Sequence, residues 1–286
     1  MEKRMLGKTG MKVGVIAFGG IIVDQMTAPE AAEAVAEGHD RGVNYYDVAP
    51  TYGNAQYALG PALAPYRKAA FLACKTRMRT AKEAQAELEE SLRALKTDYF
   101  DVYQLHGLDD PEEIKIAFGP GGAMETLLRA KESGLARHLG FTCHEDESAL
   151  EILRQYDGFA TMVFPINYAY SIQKGGGTPA LGACAERGVG AIAIKALAHR
   201  RWAEKEDRPY RNCWYRPICD DENLARLALN YTLSQSVAAA LSPGDIRMLR
   251  LALDIIEAQG GAANPLMPGE YARLAEAARG VEDMLF

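Results

Sequence analysis

Four ionisable side chains fall where short apolar runs give out. Asp47 stands in "NYYDVA", Tyr52 follows on a turn rich in Pro, Gly and Asn, Lys75 closes "AFLACK" and His106 closes "FDVYQLH". Each alone has an ordinary explanation, since Asp favours turns and a single buried His is more often a hydrogen-bonded structural residue. Lys75 is harder to dismiss. A charge directly after "AFLAC" is costly unless a partner waits for it, and Asp47 on the neighbouring run is the natural partner. Together the four suit proton transfer to a developing alkoxide. A phenol titrates near 10, and each unit toward working pH is worth about 1.4 kcal/mol. A nearby ammonium supplies that shift by stabilising phenolate, Asp47 would keep Lys75 charged and in place, and His106 would donate to or orient the substrate oxygen.

Such a set needs strands whose ends converge. Eight apolar runs fit strands: "VGVIAF", "NYYDVA", "AFLACK", "FDVYQLH", "HLGFTC", "TMVFPIN", "GAIAIKAL" and "VAAALS". Most gaps between them carry helical patterns, among them "APEAAEAVAEGHDRG" and "TAKEAQAELEESLRALK". The second opens on a Thr cap and repeats Ala84, Leu88, Leu92 and Leu95 along one face. Nearly continuous apolar strands are covered on both faces, as parallel strands joined by helices are. Eight such units predict a (β/α)8 barrel, a TIM barrel, formed by residues 1–286 as a single domain. An open doubly wound sheet is disfavoured because "AFGGIIVD" offers only a glycine pair where the dinucleotide turn would need G-x-G-x-x-G. Ahead of the first strand, "KRMLGKTGMKVG" reads as a β-hairpin able to plug the N-terminal mouth. Two long irregular segments, 107–122 and 198–221, both follow strands and are expected over the C-terminal mouth.

Composition narrows the classes of function. A net charge of −6 and a pI near 5.5 offer no basic surface for nucleic acid or an anionic membrane. The opening "MEKRMLGKTG" lacks the apolar run of a signal peptide, and no later stretch reaches about eighteen uninterrupted apolar residues, so a cytoplasmic protein is expected. Cys74, Cys143, Cys184, Cys213 and Cys219 form no C-x-x-C pair and are expected as free, mostly buried thiols. His138, His144, His106 and Cys143 lack a third ligand at local spacing, so no metal site is expected.

The blocks "YYDVAPTYGN", "FLACKTR", "ELEESLRALKTDYFDVYQLH" and "GLARHLGFT", in this order, resemble the aldo-keto reductase superfamily, without the ferredoxin-like tail of some members. The resemblance runs from about residue 3 to about 260. It implies a barrel that uses NADPH or NADH without metal, with the catalytic tetrad carried onto Asp47, Tyr52, Lys75 and His106. In such enzymes hydride passes to the carbonyl carbon of a small molecule while the tyrosine protonates the oxygen.

The same resemblance lays the cofactor across the mouth, against Gly20, Ile21 and Asp47. Thr142-Cys143 stands where members commonly carry Ser-Asn for the carboxamide, and Val163 stands near a frequent Gln, with Asn167 further along. Lys195 in "AIKAL" resembles a block that approaches the pyrophosphate. "ALSPGDIRMLRLAL" resembles the loop and helix start that grip the adenosine phosphate, with Ser242, Gly244, Arg247 and Arg250 as its contacts and Asp245 as an opposing charge. NADPH is the expected cofactor. For the substrate, the segment after strand seven offers Trp202, Trp214 and Tyr215 among arginines, with His144 nearby. Two other readings stay open: a cofactor-binding regulatory protein on the same fold, and a lyase or isomerase in which Lys75 forms a Schiff base. The oligomeric state is not legible in the sequence.

Overall fold

The computed structural model of the chain describes residues 1–285. It opens on an antiparallel hairpin, β1 (Lys3–Met5) and β2 (Lys12–Gly14), with Lys3 opposite Gly14 and Met5 opposite Lys12. Next come β3 (Ile16–Gly19), β4 (Tyr45–Asp47), β5 (Phe71–Thr76), β6 (Phe100–Leu105), β7 (Ala136–Thr142), β8 (Thr161–Pro165) and β9 (Gly190–Ile194). A short pair, β10 (Ala198–Arg200) and β11 (Arg216–Pro217), interrupts the series before β12 (Ala239–Leu241). β3 to β9 and β12 pair in parallel in chain order, and β12 closes back on β3. Each of the eight apolar runs thus contributes one barrel strand, as the sequence predicts. Among the described residues no helix is long and apolar enough to cross a membrane.

The expected helices are present, including Ala28–Asp40 with a Thr27–Glu30 capping box and Ala81–Ala94 capped by Thr80. Four others escape sequence periodicity: Ala55–Leu63, Pro111–Phe118, Tyr168–Lys174 and Pro268–Arg279. The first contains Pro61 and buries most of its positions, which erases the polar face that would mark it. It also lies so close to its neighbour that a Cβ on Gly60 would meet Leu95 Cα at 2.6 Å. The second corrects the reading of 107–122 as irregular. Asp110 caps it by accepting from the Glu112 amide and Pro111 occupies its first turn, but eight residues are too few to show a period.

Alternation along the strands decides what reaches the mouth. Ala17, Tyr45, Ala73, Val102, Val163, Ile192 and Leu241 form one inner cluster with Leu6, Met11 and Val13 of the hairpin. Their strand neighbours, such as Phe18, Tyr46, Leu72, Cys74 and Tyr103, join the outer cluster beneath the helices. The hairpin is therefore a plug. Its turn seats tightly, since a Cβ on Gly7, at φ +50°, would lie 2.2 Å from the Gly190 nitrogen. Leu6 is fully buried in the inner cluster, so Leu6→Ala should cost about 2–5 kcal/mol in urea denaturation. A loss under about 1 kcal/mol would mean that the hairpin only rests on the barrel.

Candidate active site

Two residues on from Tyr45, Ala73 and Val102, the inward positions are Asp47, Lys75 and Gln104. Strand pairing sets Asp47 beside Ala73 and Lys75 beside Gln104, so the lysine stands one pleat above the aspartate and reaches back to it. Lys75 Nζ donates to Asp47 Oδ2, to the Val48 carbonyl at 3.4 Å and to the Tyr52 hydroxyl at 3.3 Å. The pair is deeply buried, with 3 % of Asp47 and 2 % of Lys75 exposed. Gln104 Nε2 donates to the other aspartate oxygen, Oδ1, at 2.9 Å. Both carboxylate oxygens are thereby engaged. Nothing in the sequence marks Gln104, because a glutamine inside an apolar strand becomes informative only once the register places it beside Lys75.

Tyr52 is held by the turn before Ala55–Leu63, with its amide on the Ala49 carbonyl at 3.1 Å. Asn54 ties this turn to the loop after β3 by accepting from the Gln25 amide and donating its own amide to Asp24 Oδ1. The Tyr52 ring meets His106 edge-on, with centroids 5.8 Å apart at 87°. His106 ends β6 through its amide on the Thr76 carbonyl. Arg77 and Arg79 both donate to its carbonyl, at 3.3 and 2.8 Å, and to that of Gly107, at 2.8 and 3.1 Å. The four residues expected to do chemistry are thus brought into one cluster.

Their electrostatics follow from burial and neighbours. Burial opposes the charge on Lys75, but Asp47 and Tyr52 outweigh it and hold the ammonium above its usual range. Burial pushes the Tyr52 phenol up, and the Lys75 charge, acting downward, does not offset it. This corrects the expectation of a lowered tyrosine. His106 is driven well below its ordinary value by burial and by the charges of Lys75 and Arg77. At neutral pH the cluster therefore holds a protonated phenol, a charged lysine and a neutral imidazole whose buried Nδ1 has no hydrogen-bond partner among the described residues. Such a site can deliver one proton and stabilise the anion left behind.

A cavity of about 500 Å3 opens above this cluster. Ile21, Asp47, Thr142, Lys195, Ser242 and Gly244 line it among the expected cofactor residues, and His144, Trp214 and Tyr215 among the expected substrate residues. Val163 lines it too, at the slot where the resemblance places a Gln, and so do Gly19, Thr51, Arg77, Ile194 and Asn212, which the sequence did not single out for it. Trp214, 66 % exposed, leans over Tyr52 with ring centroids 5.7 Å apart. Burial lowers Lys195 to about 7, and its φ is +67°. Thr142 Oγ1 accepts from the Gly107 amide at 2.7 Å, and Ser242 Oγ from the Gly19 amide at 3.0 Å.

The other expected contacts lie elsewhere. Alternation turns Cys143 outward, opposite to Thr142, into the core beneath the helices. Asn167 caps Tyr168–Lys174 and donates to the carbonyls of Lys195 and Ala198, a structural use of its amide. Gly20 is buried behind the lining, where a Cβ would meet the Asp47 carbonyl at 2.8 Å. Arg247 pairs with Asp245 and donates to the Pro209 carbonyl, while Arg250 pairs with Glu37. Trp202 donates its indole N–H to the Cys213 carbonyl at 2.8 Å and braces the long segment from within. Arg200 and Arg216 both pair with Glu206, and Arg201 holds the backbone at 283 and 284, its amide on the Asp283 carbonyl at 3.0 Å and Nε on that of Met284 at 2.8 Å. Leu285 thereby joins the cavity wall. All five cysteines are free thiols, and four are buried. No group of three or more His, Cys, Asp or Glu side chains among the described residues is gathered as metal ligands would be.

Comparison with known proteins agrees with this architecture. An aldo-keto reductase from Bacillus halodurans, in its holo form, superposes with a TM-score of 0.74 over 97 % of this chain and 96 % of its own at 22 % identity, a likeness of fold. L-galactose dehydrogenase of Arabidopsis thaliana is 28 % identical over 157 residues, 50 % of this chain and 48 % of that protein. The 6-dehydroglucose reductase of Novosphingobium aromaticivorans is 30 % identical over 157 residues, 48 % of this chain and 50 % of that protein. The matched stretch thus spans about half the length of these relatives. The profile of the Aldo/keto reductase family matches residues 11–254, most of the barrel and all four clustered residues, and the chain belongs to that family.

Proposed function

We propose that the protein reduces the carbonyl of a small aldehyde or ketone, sugar-like carbonyls included, to the alcohol with a nicotinamide cofactor, residues 1–286 acting as one domain in the cytoplasm. The observation that carries this reading is the buried chain of contacts from Gln104 through Asp47 and Lys75 to the Tyr52 hydroxyl, beside His106. Tyr52 gives its proton to the carbonyl oxygen, and Lys75 stabilises the phenolate that remains. Asp47 keeps Lys75 charged, and Gln104 holds the second oxygen of Asp47. His106, neutral, donates an N–H to the same substrate oxygen. The cofactor, when bound, supplies the hydride to the carbonyl carbon.

Ile21, Thr142, Lys195, Ser242 and Gly244 are the residues that would hold it, and they fit such a group. Lys195, the Ser242 hydroxyl and the start of helix Ile246–Ala258 make a donor set suited to an anionic pyrophosphate. Free thiols support the cytoplasmic assignment. The names of the two sugar-processing relatives support sugar-like substrates. A Schiff-base role for Lys75 is disfavoured because Asp47 keeps its amine protonated and so unreactive.

Tyr52→Phe keeps the ring and removes only the proton donor, so turnover should fall by about 10²–10⁴-fold while the cofactor dissociation constant stays put. Most of the turnover surviving would sink the acid assignment. Gln104→Leu strips one hydrogen bond from a buried carboxylate and should lower kcat by about tenfold or more, again without weakening cofactor binding. An unchanged kcat would mean that Asp47 needs no second anchor. For the cofactor, NADPH is the preferred form, by less than about tenfold, because Asp245 already occupies the Arg247 guanidinium that its extra phosphate would need. Asp245→Asn should then improve NADPH affinity and leave NADH affinity alone. Equal changes for both cofactors would place the phosphate elsewhere.

A further inference from the structure

Around the mouth, Arg77 after β5, His106 at the end of β6 and His144 after β7 follow one another, opposite the Ile21, Ser242 and Gly244 side. Asp47 is the one carboxylate among the lining residues described, and its two oxygens are taken by Lys75 and Gln104. Among the described residues Arg77 is not answered by a carboxylate. It enters no ion pair among the described residues, and its guanidinium lies on two backbone carbonyls, which steer it without neutralising it. The contact is close enough that a Cβ on Gly107, at φ +55°, would stand 2.5 Å from Arg77 Nη1. His144 is oriented in turn by Asp109, with Nδ1 2.9 Å from Oδ2. Both flank His106, whose protonation their charges disfavour.

An arginine held on two carbonyls and with no acid to meet among the described residues, beside an oriented imidazole and next to the proposed carbonyl position, is a receptor for an anion. We infer that the substrate of this enzyme carries an anionic group, a carboxylate or a phosphate, which Arg77 receives with His144 while the carbonyl lies at Tyr52. The inference rests on the carbonyl-reducing function proposed above and narrows it to a charged substrate. The cavity of about 500 Å3 must also admit the nicotinamide end, so the molecule is short, roughly three to five carbons between and including the two groups. Arg77 acts as a specificity-determining residue, since its reach is to the far end of the substrate and not to the reacting carbon.

The test compares matched pairs in NADPH oxidation: succinic semialdehyde against butanal, and glyceraldehyde 3-phosphate against glyceraldehyde. The wild type should favour the anionic member of at least one pair by about tenfold or more in kcat/KM, and the pair that shows it identifies carboxylate or phosphate. Arg77→Met should cut that preference by about tenfold, chiefly through KM, and Arg77→Lys should restore part of it. Preferences near unity in the wild type, or a preference that survives Arg77→Met, would overturn the inference and leave the reductase reading standing. Failure to reduce any of the four aldehydes with cofactor bound would remove that reading, and this inference with it.

Discussion

An ammonium ion sealed inside an apolar barrel is expensive unless its partner is fixed and that partner's remaining hydrogen-bond sites are filled. Lys75 and Asp47 meet those terms only because of where the strands put them. The register sets the lysine one pleat above the aspartate and beside Gln104, whose amide occupies the oxygen that Lys75 leaves. A slip of one residue in β5 would turn Lys75 outward among the helices and bring Cys74 into the barrel. Closure of the barrel, plugging of its lower end by the hairpin and exclusion of water from the pair are therefore linked. The same seclusion that makes the pair costly makes its field strong at the Tyr52 hydroxyl.

Much of this arrangement could be read from the chain. Eight apolar runs, helix caps such as Thr80 and charges stranded at run ends follow from local physics, and they located the barrel and the four clustered residues. What escaped depended on long-range register or on competition among partners. Gln104 gains meaning only opposite Lys75. Asn167 reads as a ligand-facing amide at a strand end, yet its own helix takes the side chain as a cap. Tyr52 shows the same limit in energetic terms, because a sequence reveals the nearby cation but not how far burial opposes it.

The rim illustrates how charge balance hides in folding. Read along the chain, the segment from 198 to 216 is a run of arginines and aromatics that invites a ligand. In the structure Arg200 and Arg216 share Glu206, Arg211 donates to Gln25, and Arg247 and Arg250 are claimed by Asp245 and Glu37. Asn212 adds hydrogen bonds to the carbonyls of Ile21 and Asp24, so the segment is stitched across the mouth to the loop after β3. Most rim cations thus serve architecture, whereas Arg77 lies at the cavity itself and enters no ion pair among the described residues.

The grip of Arg201 on the backbone of Asp283 and Met284 couples the cavity wall to a part of the chain remote in sequence. With Leu285 in the cavity wall, loosening Arg201 would shift one face of the space that a ligand needs. Substitution of Arg201 would therefore alter the entrance without touching the four clustered residues. The plugged side is independent of this contact, because Met1 and Glu2 lie with the hairpin, against Gly42 and Gly261.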